Sequence, residues 1–329
     1  MLTIKEIAEK ANVSRTTVSR VLNDSGYVSE EARKRVLTVI EETGYVPSAH
    51  AKSLRTKKTK VIGVIVPKIS TETSSRLVKG LDQVLSGAGY QILLAITNLE
   101  HEKEIQHLKL LKSRHVDGII LSATNIGEPI LQEIQQLNMP FVMVGQPVSG
   151  LTNVVFDDYQ AARDMMDHLI TKGHKRIAFI GVDESDHAVG YLRKKGYLDA
   201  LAENGLATED SWIKKGIFDV HSGRSCMRAI LEESAVKPTA VLTVTDRLAI
   251  GAMQHLKEAG IEIPAHMAIG AMGASELSRY ITPRLSTIDF DIEEAGREAA
   301  TMILEKIAGE TYQGKVCRVK YRLLENESI

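Results

Sequence analysis

The sequence predicts a small all-α head followed by a larger α/β body of two doubly wound parallel-sheet lobes. Residues 1–46 contain three short helical patterns and no strand-like run. From residue 61 onwards, apolar runs of strand length alternate with helical patterns, which is typical of parallel sheets covered by helices on both faces. The body of about 270 residues exceeds one doubly wound sheet, so two lobes are expected.

The composition is that of a soluble globular protein. The chain of 329 residues is 43% hydrophobic and 25% charged, and no apolar run reaches the roughly 18 residues that a membrane span needs. The N-terminal stretch MLTIKEIAEK lacks the apolar segment of a secretion signal. Two cysteines, Cys226 and Cys317, are too few for a disulfide framework or a four-thiolate metal site. We therefore expect a cytoplasmic protein without a metal or cofactor.

Capping signals predict the first and third helices of the head. Thr3 and Glu6 fit a capping box, and apolar residues follow at the i, i+3, i+4 and i+7 spacing of one helical face. Ser29 can cap the third helix, and Gly44 ends it. Residues 1–46 are therefore predicted to form a small helical bundle.

The second helix, from about Arg15 to Leu22, exposes a face without carboxylates. The apolar side chains expected to face the bundle are Val18, Val21 and Leu22. The opposite side of the helix then contains Arg15, Thr16, Ser19 and Arg20. Such a face suits the major groove of DNA, where arginine binds guanine and threonine reaches base edges. Helix-turn-helix geometry favours Arg15, Thr16 and Arg20 as the residues that read bases. It favours Ser14, Thr17 and Ser19 as contacts to phosphates. The alternative is a solvated helix face on a small bundle.

Charge is unevenly distributed along the chain. Residues 1–60 hold 12 basic and 7 acidic side chains, a net charge of +5, whereas the remainder has a net charge of −6. A basic end on an acidic body suggests nucleic-acid binding, although a solvated basic arm is an equal alternative. Residues 47–60 (PSAHAKSLRTKKTK) are predicted to be a linker, because so few bulky apolar residues will not fold alone.

The elements of the body follow in order along the chain. Strand-like runs are residues 61–66, 91–96, 118–122, 141–145, 176–181, 240–245 and 267–272. Helical patterns lie near residues 74–87, 102–112, 128–137, 159–171, 190–204, 221–234, 247–259 and 291–308. The lobes are expected to divide near Phe156-Asp157-Asp158, and a strand near 285–290 to return the chain to the first lobe. The predicted first lobe is about 61–156 and 290–316, and the predicted second lobe about 157–289 and 317–329.

Two stretches near the N-terminus are TIKEIAEKANVSRTTVSRVLN (3–23) and GYVSEEARKRVLTVIEETGYVPS (26–48). The first ends in a specific motif, V-S-x-x-T-V-S-R-V-L-N. With them the chain resembles the lactose/galactose-repressor (LacI/GalR) family of bacterial transcription regulators. In the body the resemblance continues through IGVIVP (62–67), VDGIILSAT (116–124), GHKRIAFIG (173–181), TDRLAIGAM (245–253) and PRLSTIDFD (283–291). It implies a helix-turn-helix head, a periplasmic-binding-protein-like core, and a homodimer that binds operator DNA and a carbohydrate effector.

The resemblance also implies DNA-binding residues. Arg15 and Thr16 match two variable base-reading positions, and Arg20 matches a base-contacting arginine. Residues 48–55 match a hinge helix, in which Ala51 and Leu54 would lie in the minor groove with the leucine as a wedge. The implied DNA-binding set is Ser14, Arg15, Thr16, Thr17, Ser19, Arg20, Asn23, Ala51 and Leu54.

The family's effector binds between the two lobes, where ligands of doubly wound sheets are expected. Arg193 matches an arginine that bonds sugar hydroxyls, and Phe218 matches an aromatic that stacks on a sugar ring. The implied effector set is Lys68, Thr71, Thr73, Ser74, Gln146, Phe156, Arg193, Phe218, Thr245, Asp246 and Phe290. Arg193 could instead be a surface arginine, Asp246 could only cap the following helix, and the phenylalanines could be core residues.

Departures from the family pattern bear on the effector. The family often has Asp-Arg where this chain has Gly145-Gln146, and an aspartate where Met272 stands. Loss of these groups argues against a plain monosaccharide, and Lys68 and Arg193 could instead hold an anion. The stretch SDHAVGYLRKKGY (185–197) resembles the trehalose-operon repressor branch. Our hypothesis is a disaccharide or a phosphorylated disaccharide.

The sequence bears on three classes of function. No P-loop, nucleophile elbow, zinc-protease motif or EF-hand pattern is present, so an enzyme is unsupported. A sugar-binding transport component is opposed by the basic head and the absent secretion signal. We therefore predict a sequence-specific, nucleoid-associated repressor of a carbohydrate-utilisation operon. We expect a dimer, because the chain ends at Ile329 without a leucine-rich heptad tail.

Overall fold

The structure is a computed structural model that describes residues 2–45, 58–310 and 314–329. The chain divides into two compact units, one before Val61 and one from Val61 to Ile329. The first unit contains the head, with helices α1 (Ile4–Ala11), α2 (Arg15–Asn23) and α3 (Glu30–Thr43). One apolar cluster joins the three helices, and its fully buried members are Ile7, Val18 and Val36.

The helices of the head begin and end where their capping residues predict. The Glu6 backbone N–H donates to Thr3 Oγ1 at 3.3 Å, and Thr3 N–H donates to the Glu6 carboxylate at 2.7 Å. Ser14 and Ser29 cap α2 and α3 with their hydroxyls, which accept from the Thr17 and Ala32 N–H groups. Gly44 ends α3 with a φ of 60°, a left-handed conformation that glycine adopts without steric cost.

The second unit consists of twelve strands and eight α-helices within the described residues. The strands are β1 (Val61–Val66), β2 (Gln91–Ile96), β3 (Gly118–Ser122), β4 (Phe141–Val144), β5 (Asn153–Phe156), β6 (Ile177–Gly181), β7 (Ile213–Lys215), β8 (Ala240–Thr243), β9 (Ala268–Met272), β10 (Ser286–Phe290), β11 (Val316–Val319) and β12 (Tyr321–Leu324). The helices are α4 (Glu72–Gly87), α5 (His101–Ser113), α6 (Glu128–Gln135), α7 (Asp158–Thr171), α8 (Arg193–Glu203), α9 (Val220–Glu233), α10 (Asp246–Glu258) and α11 (Ile292–Ala308).

These strands form two six-stranded sheets, one in each lobe. The first sheet has the order β11-β5-β4-β3-β1-β2 and is parallel throughout. The second has the order β12-β10-β9-β8-β6-β7, and only its edge strand β12 is antiparallel. The predicted class, an all-α head with two doubly wound parallel-sheet lobes, is confirmed.

The return of the chain to the first lobe differs from the prediction. The strand near 285–290 was expected to make this return, but β10 lies in the second sheet between β9 and β12. Helix α11 makes the return instead and packs against α4. The expected end of the first lobe at residue 316 is also wrong, because β11 continues in register with β5 as far as Val319. Long-range strand pairing decides both points, and local pattern does not reveal it.

Close contact between α4 and α11 fixes the helical layer of the first lobe. A Cβ atom at Gly80 would lie 2.0 Å from the Glu293 carbonyl oxygen, and one at Gly296 would lie 2.4 Å from the Leu77 carbonyl oxygen. Both positions therefore require glycine, because any side chain would separate the helices. Over the described ranges, no helix is long and apolar enough to cross a membrane.

Candidate functional site

The exposed face of α2 is polar and cationic. Val18 and Val21 are buried in the head, and this turns Arg15, Thr16 and Arg20 outwards as exposed side chains. The helix contains no carboxylate. A short helix with arginine and threonine on its exposed face has the chemistry to read base edges in a major groove.

The remaining polar residues of α2 make local hydrogen bonds. The Ser14 and Thr17 hydroxyls lie 2.9 Å apart, and Ser14 also caps the helix. The Asn23 amide donates to the Ser19 carbonyl oxygen at 2.5 Å, one turn earlier in the same helix. Ser14 is exposed, whereas Thr17 and Ser19 are half-buried at the edge of the face. Ala51 and Leu54, the predicted minor-groove pair, lie outside the described residues.

A cavity of about 580 Å³ lies between the two lobes of the body. Its walls come from the carboxyl ends of strands in both sheets, as at Ser122, the last residue of β3, and Met272, the last residue of β9. All of the predicted effector residues line it: Lys68, Thr71, Thr73, Ser74, Gln146, Phe156, Arg193, Phe218, Thr245, Asp246 and Phe290. The structure thus brings together residues from segments far apart in the sequence, although their contact with an effector stays a prediction.

Arg193 is buried in the cavity wall and is not a surface residue. Only 6% of it is exposed, and it forms an ion pair with Asp158, which is 2% exposed. Nε donates to Asp158 Oδ1 at 2.7 Å, Nη2 lies 2.6 Å from the same oxygen in the ion pair, and Nη1 donates to the Val244 carbonyl oxygen. The guanidinium carbon lies 4.9 Å from the centre of the Phe290 ring. Sequence reasoning missed Asp158, because the short strand that precedes it has a weak pattern.

Asp246 is the first residue of α10 and does not cap it. Thr245 is the N-cap, since its hydroxyl accepts from the Leu248 N–H at 3.4 Å. Asp246 is 3% exposed, and its oxygens accept from the Thr287 hydroxyl at 2.7 Å and from the Ser275 N–H. Burial raises the pKa of Asp246, although these hydrogen bonds oppose the shift. The carboxylate thereby ties the start of α10 to the segments after β9 and in β10.

Gln146 links the two lobes across the cavity. Its Nε2 donates to Asp186 Oδ1 at 2.7 Å, and its Oε1 accepts from the Ala188 N–H at 3.1 Å. Gln146 is 1% and Asp186 7% exposed, and burial raises the pKa of Asp186. Asp186 also caps the π-helical turn His187–Leu192 that precedes α8, a turn predicted only as part of a longer helix. No signal in the sequence pointed to Asp186, because its partner lies 40 residues away.

Further contacts join the lobes at the rim of the cavity. Glu72 Oε1, at the start of α4, accepts from the Glu276 N–H at 2.6 Å. Arg247, in the first turn of α10, donates to the Ser70 carbonyl oxygen. The structure therefore shows the lobes closed on each other, with polar groups from each lobe paired to the other.

The other predicted cavity residues differ in exposure. Phe156 and Phe218 are half-buried, whereas Phe290 is 1% exposed and packs 5.3 Å from the Phe156 ring, centre to centre. Ser74 is buried near the N-cap Thr71, whose hydroxyl accepts from its N–H at 3.4 Å. Of the other lining residues between 68 and 74, Lys68 and Thr71 are half-buried and Thr73 is exposed.

Two family models match the chain. The model described as "Bacterial regulatory proteins, lacI family" matches residues 3–48, which include the whole of the head from α1 to α3. The model described as "Periplasmic binding proteins and sugar binding domain of LacI family" matches residues 59–327. Together they account for nearly all of the described chain.

Similar proteins match over the same length. Catabolite control protein A of Priestia megaterium is 32% identical over 325 residues, which are 98% of this chain and 97% of that protein. The structure of the transcriptional regulator CelR–cellobiose complex is 28% identical with a TM-score of 0.75, and each chain covers 100% of the other. The lac repressor dimer bound to operator and the anti-inducer ONPF shares the fold, with a TM-score of 0.89 at 24% identity over 99% of this chain and 98% of that one.

Proposed function

The chain belongs to the LacI family of bacterial regulatory proteins, and on this premise we propose that it represses a carbohydrate-utilisation operon under the control of a small sugar or sugar phosphate. It is a DNA-binding transcription regulator and not an enzyme. The cellobiose complex of the similar regulator CelR supports a carbohydrate as the ligand. We further propose that the protein acts in the cytoplasm, on nucleoid DNA.

The exposed face of α2 is the observation that carries this proposal. Arg15, Thr16 and Arg20 point away from the buried Val18 and Val21, so they are free to enter a groove without disturbing the head. We assign base reading to these three residues, and phosphate contacts to Ser14, Thr17 and Ser19. The Asn23 amide would support the end of the same helix through its bond to the Ser19 carbonyl.

We propose that the protein acts as a homodimer on a pseudo-palindromic operator, in keeping with the lac repressor, which is a dimer when it is bound to its operator. Residues 47–60 would form the linker and hinge, with Ala51 and Leu54 in the minor groove. Wedging a leucine between base pairs costs a few kcal/mol, which bending and additional contacts offset.

A ligand that prefers one arrangement of the lobes would control operator binding. Such a ligand shifts the equilibrium by its difference in affinity for the two arrangements, and operator affinity changes with it. A ligand that favours the arrangement with lower operator affinity is an inducer, and one that favours the other is a corepressor. The interlobe bonds of Gln146 and Glu72 are the contacts that such a change would break or form.

Selection of bound oligonucleotides from a random pool tests the proposal. We expect the full-length protein to enrich one pseudo-palindromic sequence, and this sequence to occur upstream of its own operon. Repeating the selection with a panel of sugars and sugar phosphates should identify a compound that changes the retained fraction. Retention without sequence enrichment, or no retention of DNA, would contradict the proposal.

A further inference from the structure

The ligand class of the cavity depends on one buried ion pair. Arg193, the only arginine buried in the described wall of the cavity, donates from Nε to Asp158 Oδ1 and from Nη1 to the Val244 carbonyl, and its Nη2 lies 2.6 Å from Asp158 Oδ1. A guanidinium has five N–H donors, so the hydrogen bonds to Asp158 and Val244 do not use all of them. Its charge, however, is already balanced by a carboxylate at hydrogen-bond distance. We propose that Asp158 makes this cavity selective for uncharged polyhydroxyl ligands and excludes anions such as sugar phosphates.

The other charges of the cavity support the same selectivity. Its described lining residues include five carboxylates, Glu72, Asp158, Asp186, Asp246 and Glu276, against three cations, Lys68, Arg193 and Arg247. An anion that enters would meet an excess of negative charge and would lose its water without gaining a free buried cation. We therefore do not expect Lys68 and Arg193 to hold an anion.

The buried carboxylates do not require a cationic ligand either. Asp246 accepts from the Thr287 hydroxyl and the Ser275 N–H, and Asp186 accepts from Gln146 and from the Val189 N–H at 3.0 Å. Protein donors already satisfy them, as buried polar groups require.

The ion pair itself suits a neutral hydroxyl. The printed contacts of the guanidinium with the carboxylate are to Asp158 Oδ1, so these contacts leave the Oδ2 acceptor and some N–H donors of the pair unused. A hydroxyl donates one hydrogen bond and accepts others, so adjacent hydroxyls match adjacent acceptors and donors. This inference rests on the proposed function, because it takes the cavity as the effector site, and it narrows the effector to the uncharged class.

The test uses Asp158→Asn, which keeps the size of the side chain and frees the charge of Arg193. Calorimetry of the full-length protein with inorganic phosphate, at constant ionic strength, should show at least tenfold tighter binding for the variant than for the wild type. Asp157→Asn is the matched control, since Asp157 is adjacent, pairs with Arg318 at 3.0 Å and is not a lining residue. The control should behave as the wild type.

A double variant tests whether the gain in phosphate affinity depends on Arg193. Asp158→Asn combined with Arg193→Gln should return phosphate affinity to the wild-type level. A folded Asp158→Asn protein with no gain in phosphate affinity, or a gain that survives the loss of Arg193, would overturn the proposal.

The wild type provides a further measurement that does not depend on a variant folding. The binding affinities of trehalose and of cellobiose are each compared with that of the corresponding 6-phosphate. For each sugar that binds, we expect its 6-phosphate to bind at least tenfold more weakly. A 6-phosphate that binds as tightly as its parent, or inorganic phosphate that binds in the wild-type cavity, would overturn the selectivity. Operator selection does not depend on these results, so failure of this inference is distinct from failure of the proposed function.

Discussion

Arg20 is exposed because its helix buries the residues on the opposite side. Val18 is fully buried and Val21 is 6% exposed, whereas Arg20 is exposed and donates to the Tyr27 carbonyl at 3.4 Å. A contact of that length contributes little, so the guanidinium is available to DNA. The i, i+3 spacing of the valines is sufficient to predict this exposure from the sequence.

If Arg20 reads a base as we propose, its replacement with alanine should weaken operator binding by about 1–3 kcal/mol and relax the preference at one base position, because a bidentate contact to guanine would be lost. Lys34→Ala is the control, since it removes one positive charge from an exposed position of α3. Binding titrations on the operator and on single-base variants measure both effects. Equal weakening on every DNA sequence would show that Arg20 contacts only phosphate.

Gln146 illustrates a residue whose contacts depend on the fold. Its amide pairs with Asp186 and Ala188 of the other lobe, which no local pattern indicates. Gln146→Ala should lower the free energy of unfolding by about 1–3 kcal/mol, because the buried Ala188 N–H loses its acceptor. Urea unfolding measures the loss. Gln160→Ala, on the exposed side of α7, is the control and should change stability by less than about 0.5 kcal/mol; equal effects would refute the role of Gln146.

At the scale of elements, the contact between α4 and α11 leaves no room for a side chain. Gly80→Ala should destabilise the first lobe by about 1–3 kcal/mol, because its Cβ would overlap the Glu293 carbonyl. Gly87→Ala, at the end of the same helix, meets no atom within 4 Å and is the control. Thermal unfolding compares the two variants. A Gly80→Ala protein as stable as the control would mean that the helices are free to separate.

Helix α5 is joined to the loop after β3 by a buried carboxylate. Glu104 is 1% exposed and accepts from the Thr124 N–H at 3.0 Å, the Thr124 hydroxyl at 2.9 Å and the Asn125 amide at 3.1 Å. Burial raises the pKa of Glu104 above its ordinary value, although these bonds oppose the shift. Thr124 lines the cavity, so this carboxylate positions part of its wall.

The raised pKa predicts a pH dependence of stability. Above pH 4.5, the ordinary value for this group, the folded chain retains a proton that the unfolded chain releases. The free energy of unfolding therefore falls as the pH rises through the folded pKa. Glu104→Gln should remove this component, whereas Glu102→Gln, exposed on the same helix, should keep it. Urea unfolding between about pH 4.5 and pH 7 measures it, and parallel profiles for wild type and Glu104→Gln would contradict the assignment.

At the scale of the whole molecule, operator affinity requires two heads. A single head offers one short helix to the groove, and joining two heads makes the second contact intramolecular. We expect sedimentation velocity to show a dimer, and an operator with one half-site destroyed to bind at least about 100-fold more weakly than the intact site. A monomer or tetramer in solution, or equal affinity for the half-site, would contradict this expectation.

The sequence by itself determined the head, the class of the body and most of the elements. Capping residues such as Ser14 and Ser29, and the alternation of apolar runs with helical patterns, act over a few residues and are therefore visible in one dimension. The motif in residues 3–23 determined the family in the same local way.

Only the tertiary structure decided which distant groups meet. Asp158 and Arg193 are 35 residues apart and Gln146 and Asp186 are 40 apart, yet each pair closes at hydrogen-bond distance. Strand β10 belongs to the second sheet because of its neighbours in space, not its composition. The charge of the cavity follows from such pairings, since burial makes each charged group depend on the partner that the fold brings to it.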